Sequence, residues 1–89
     1  MFFISLSKWK QPPTTEMRAQ MDQATKKLEE IAKQGIKVSV YWTLGRYDVV
    51  SIIEARSEKD AMKILLGFQH IIDTETMVAV PREEAIKLL

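Results

Sequence analysis

Residues 1–89, with 46% hydrophobic and 28% charged side chains, make a single domain of ordinary globular balance, outside the polar, charge-rich range of disordered chains. Thirteen basic against twelve acidic residues leave a formal charge of +1, which gives no long-range field for nucleic acid, and the absence of cysteine excludes disulfides, thiolate metal sites and a cysteine nucleophile. No apolar run approaches the roughly 20 residues of a membrane span, and the opening Met1–Leu6 lacks the basic leader of a signal peptide, so the expected location is the cytoplasm.

Phe2, Ile4 and Leu6 alternate with Phe3, Ser5 and Ser7, the period of a strand with one firmly buried face. Pro12-Pro13 stops it by removing ladder donors, and Thr14 or Thr15 offers a helix N-cap with Glu16 in the first turn. Met17, Met21, Ala24, Leu28 and Ile31 then fall on one stripe of a long helix that ends at Gly35. Ile36 to Leu44 alternates as a second strand, Gly45-Arg46 supplies a tight reversal, and Tyr47 to Ala55 resumes as its hairpin partner. Ser57 with Asp60 resembles a capping box with Asp in place of Glu, opening a second helix with Ala61, Ile64, Leu65 and Phe68 on its apolar face. Ile71 to Val80 reads as a fourth strand, stopped at Pro81, and Arg82 to Leu89 has helical spacing.

The order βαββαβ predicts an α+β, ferredoxin-like fold: a four-stranded antiparallel sheet with two helices on one face, plus a short C-terminal helix. In the third strand Val49 and Ile53 point one way and Val50 and Ile52 the other, so neither face suits water. The second face needs a cover, and a second copy of the chain is the simplest one, which predicts a homodimer or a larger even-numbered oligomer.

The run Thr43-Leu44-Gly45-Arg46-Tyr47-Asp48-Val49-Val50, followed by Glu54-Ala55 and Thr74-Glu75-Thr76, resembles the GYD domain family over nearly the whole chain. The resemblance implies a ferredoxin-like, dimeric α/β-barrel type of protein, with Gly45, Tyr47 and Asp48 as the motif residues, and brings no reaction or cofactor with it. The connection Gln11-Pro12-Pro13-Thr14-Thr15 departs from the Thr- or Gly-bearing loop that the family leads one to expect directly after the tryptophan of the first strand. The glycine turn is also similar to the effector-binding domain of the leucine-responsive regulator family, which binds amino acids between subunits. That likeness implies a stand-alone module for a small ligand, here without a DNA-binding helix-turn-helix.

Arg46, Tyr47 and Asp48 form the candidate ligand-binding set, suited to a carboxylate through paired guanidinium bonds and a tyrosine hydroxyl. Gly45 is the structural turn, and Asp48 has the competing role of capping turn amides. Trp9, Tyr41, Trp42 and Tyr47 can line an aromatic cavity or serve as core and interface. His70, the only histidine, has no second histidine for a metal and no nucleophile in an obvious motif, so no metal site is expected. Ser5, Ser7, Ser39, Thr43, Ser51, Thr74 and Thr76 offer hydrogen bonds without titrating near neutrality. The composite expectation is a small-ligand-binding or regulatory module; the alternatives are a cofactor-free enzyme of the dimeric α/β-barrel type and a structural or interaction protein.

Overall fold

The computed structural model describes residues 1–89. Its elements are β1 (Phe2–Trp9), α1 (Arg18–Lys33), β2 (Lys37–Trp42), β3 (Val49–Glu54), α2 (Glu58–Leu66), β4 (Ile72–Ala79) and α3 (Arg82–Ile86). The strands form one antiparallel sheet in the order β2-β3-β1-β4, the ferredoxin-like arrangement expected from the βαββαβ pattern. β2, β3 and β4 are each shorter than the alternation suggested, because pairing ends where the chain turns, whereas β1 runs past Ser7 to Trp9 by pairing with β4. No helix is long and apolar enough to cross a membrane.

The helix boundaries follow local chemistry. Thr15–Met17 is a 3-10 turn leading into α1, and the Thr14 side chain makes no capping bond, so the expected cap is replaced by the backbone bond from Met17 N–H to the Thr14 carbonyl at 3.1 Å. The Glu16 carboxyl is held below its usual range by its own backbone N–H first and by the Thr14 hydroxyl second. Gly35, at φ +88°, ends α1 in a backbone conformation that glycine alone adopts easily. Ser57 caps α2 by accepting from Asp60 N–H at 3.3 Å, whereas the Asp60 carboxylate turns to Arg56 Nε at 3.2 Å. Only half of a capping box is therefore built.

Register assigns every side chain to one of two faces. On the helix side the cross-strand layers are Val38–Ile53–Phe3–Val78, then Val40–Ser51–Ser5–Thr76, then Trp42–Val49–Ser7–Thr74, with Trp9 and Ile72 beyond. Phe3 and Ile53 of the first layer join Ile36, Ala55, Ala61 and Ile64 in the buried core, with Val38, Ile31, Leu65 and Phe68 packed against it, whereas Val78 on the edge strand is exposed. The larger set Phe2, Ile4 and Leu6, which alternation nominates for burial, lies on the outer face, while Phe3, Ser5 and Ser7 are the buried ones. Helix placement decides the matter: both crossovers lie on the side of the smaller residues.

The connection from β2 to β3 is also longer than the tight reversal expected at Gly45-Arg46. It spans residues 43–48 and is closed by Thr43 N–H to the Asp48 carbonyl at 2.8 Å and by the Thr43 hydroxyl to the Tyr47 carbonyl at 2.7 Å. Gly45 sits in it at φ +138°, and a Cβ there would meet nothing within 4 Å, so its constraint is conformational rather than steric crowding. Gly45→Val is expected to lower unfolding stability by about 1–3 kcal/mol, measured by urea titration. An unchanged midpoint would show that the turn relaxes without cost.

Candidate functional site

The core fills only one end of the space between sheet and helices. Past the layer of Phe3 and Ile53, the sheet presents Ser5, Ser7 and Ser51 where large side chains would be needed to meet the helices. The result is a cleft of about 290 Å³ floored by these serines, walled by Met21, Ala24, Thr25 and Leu28 of α1, and bounded by Ile64, Leu65 and Phe68. The α1 stripe is half-buried along its length with no fully buried member, which is what a helix standing over a cleft shows.

The floor is polar and satisfied. Ser5, 1% exposed, shares a hydrogen bond of 2.8 Å with the Thr76 hydroxyl, and Ser7, 0% exposed, donates to the Thr74 hydroxyl at 3.0 Å. These two serines lie beneath the reach of water, whereas Ser51 is half-buried. At the far end of the strands Trp9 and Trp42 pack edge to face with ring centroids 5.1 Å apart and an interplanar angle of 74°. Trp42 lines the cleft yet remains 60% exposed, so indole surface is left at its mouth. Outside the lining, Lys27 Nζ sits 5.8 Å from the Phe68 ring centroid, joining α1 to the turn after α2.

The motif turn stands beside this cleft and none of its residues lines it. The Asp48 carboxylate accepts from Trp9 N–H at 2.9 Å, and Asp48 N–H donates to the Ser7 carbonyl at 2.9 Å. Asp48 thus fastens the end of β1 and, through its carbonyl bond to Thr43, the residue after Trp42. Tyr47 turns to the other side of the sheet, where its hydroxyl donates to Glu75 at 3.3 Å; Glu75 shares the outer face with Leu6. Arg46 is exposed, its guanidinium 5.7 Å from the Tyr47 ring centroid. The sequence-level set of Arg46, Tyr47 and Asp48 is therefore adjacent in space but divided in orientation.

The other candidates separate in the same way. Tyr41 lies on the outer face and Trp9 and Trp42 at the cleft, so the four aromatics do not form one cavity. His70 is exposed in the turn after α2 and outside the lining, and Asp73 meets Lys10 at 3.9 Å at the surface. The lining contains no Asp, Glu, Lys, Arg, His or Tyr, so it offers hydrogen bonds and apolar contact without a general acid or base. Sequence reasoning placed Met21, Ala24 and Leu28 on the stripe of the first helix and Leu65 and Phe68 on the apolar face of the second; the signal that they line a cleft was the serine row opposite them.

The sequence matches the family described as GYD domain over residues 3–89. A solved structure sharing the fold is that of a dimeric ferredoxin-like protein of unknown function from Thermobifida fusca, at 20% identity and a TM-score of 0.57, with 89% of each chain covered. No curated protein matches the chain.

Asp48→Ala removes the acceptor of Trp9 N–H and is expected to cost ~1–2 kcal/mol of stability and to alter the near-ultraviolet circular dichroism of the tryptophan pair. Retention of both signals would mean that the indoles are held by their own packing.

Proposed function

The chain belongs to the GYD domain family, and on that footing we propose that it acts as a homodimeric module binding a small ligand in the cleft between sheet and helices. The observation that supports binding most directly is the cleft itself: apolar walls over a hydrogen-bonded serine floor, with no titratable group in the lining. Such a surface can select and orient a molecule. It lacks the proton donors and acceptors that would make turnover the stronger reading, so a cofactor-free enzyme is the alternative.

Support for the dimer comes from the outer face. Its layers read Ser39–Ile52–Ile4–Met77 and Tyr41–Val50–Leu6–Glu75, with Phe2 and Ala79 at one end. Ile52 is 40%, Met77 42% and Tyr41 57% exposed, an apolar sheet surface left in water by a lone chain. A second copy stacked about 10 Å away would cover it, and the Thermobifida fusca protein with the same fold is described as dimeric. The charged residues Lys37, Glu54 and Glu75 lie at the margins of this surface, where a polar rim belongs.

A second reading is favoured by Arg46, whose exposed guanidinium can bind a carboxylate at the turn, with Tyr47 adding a hydroxyl and Asp48 ordering the loop. An unbiased thermal-shift screen separates the two. Hits held in the cleft are lost in Leu28→Trp, which fills it, and persist in Arg46→Ala; the reverse pattern would move the site to the turn. His70→Ala is expected to leave affinity unchanged, and turnover abolished by that substitution would establish an enzyme instead.

Light scattering at micromolar concentration is expected to give twice the chain mass, and Ile52→Lys to give the chain mass with the fold retained. A parent protein that remains monomeric would contradict the assembly.

A further inference from the structure

The chemistry of the cleft restricts its ligand further, and this step rests on the cleft-binding reading above. An anion entering would shed its hydration among Met21, Leu28, Leu65 and Phe68 with no cationic side chain in the lining to receive it. Lys27 stands by Phe68 but is not part of the lining, and Arg46 belongs to the turn. The lining holds no carboxylate to receive a cation either, so charge of both signs is selected against.

The polar groups that remain are few. Ser5 and Ser7 are beneath the surface and bonded to Thr76 and Thr74. The Thr25 hydroxyl on α1 already donates to the Met21 carbonyl at 3.1 Å, leaving it only as an acceptor. Ser51, half-buried in the floor, is the hydroxyl placed to donate into the cleft. At its mouth Trp42 presents exposed indole surface suited to a flat ring. A volume of about 290 Å³ is at the small end for ligand pockets.

We infer that the cleft takes an uncharged, largely apolar small molecule carrying one hydrogen-bonding oxygen, with that oxygen at Ser51 and its apolar body, of one or two rings, between α1 and the indole of Trp42.

Naphthalenemethanol, naphthoate and naphthalene share one ring system, the first carrying a neutral hydroxyl, the second a charged carboxylate and the third no oxygen. Each is titrated at neutral pH into the full chain while the indole N–H signals of Trp9 and Trp42 are followed by NMR. The alcohol is expected to bind about tenfold more tightly than the carboxylate. Ser51→Ala should weaken the alcohol about fivefold and leave naphthalene unchanged, and Leu28→Trp should exclude all three. Naphthoate binding as tightly as the alcohol, or an alcohol indifferent to Ser51→Ala, would overturn the assigned ligand class while leaving the binding module standing. No indole response to any of the three would overturn both.

Discussion

Helices close on a sheet only where the sheet offers side chains large enough to meet them. In this chain that condition holds at one end, where Phe3, Ile53 and Val38 meet Ala61 and Ile64, and fails in the next two layers, where Ser51, Ser5 and Ser7 occupy the centre. The other structural features follow from this change in side-chain size. The core is confined to one end, α1 runs half-buried over a cleft, and the buried serines satisfy one another's neighbours on β4 through the bonds to Thr74 and Thr76. A domain of this size with so small a core gains from apolar burial elsewhere, and the outer sheet face with Ile4, Leu6, Val50 and Ile52 is where that surface is available.

The glycine-tyrosine-aspartate turn serves both faces at once. Asp48 binds the Trp9 amide and the Ser7 carbonyl and, through Thr43, the end of β2, so it frames the tryptophan end of the cleft. Tyr47 instead crosses to Glu75 on the outer side. Gly45 permits the path that separates them by adopting φ +138°. A motif readable as a ligand set is thus also a device that ties the ends of β1, β2 and β3 together, and both the cleft mouth and the edge of the proposed dimer surface depend on its geometry.

Much of the architecture was legible because periodicity and punctuation agree. The Met17-to-Ile31 stripe, Gly35, the Ser57 cap and Pro81 mark the elements correctly, and the antiparallel order follows from them. What was not legible was which side of β1 faces the helices. Alternation shows that Phe2, Ile4 and Leu6 differ from Phe3, Ser5 and Ser7, but handedness of the crossovers decides which set is covered, and hydrophobicity alone favours the wrong one. The cleft was hidden for the same reason: serines in a strand look like a solvated face until helices are placed over them. The division of Tyr47 from Asp48 depends on the path of a six-residue connection, from Thr43 to Asp48, which turn propensity cannot supply.

The account turns on unfilled space above the serine layers. Chemical unfolding of Ser51→Leu, at the same protein concentration as the parent, tests it by sign. Leucine placed in an open cleft should bury apolar surface against α1 and raise stability by about 0.5–2 kcal/mol. A loss of about 1–3 kcal/mol would show an overpacked site, with the helices already closed on the serines and no cleft to fill.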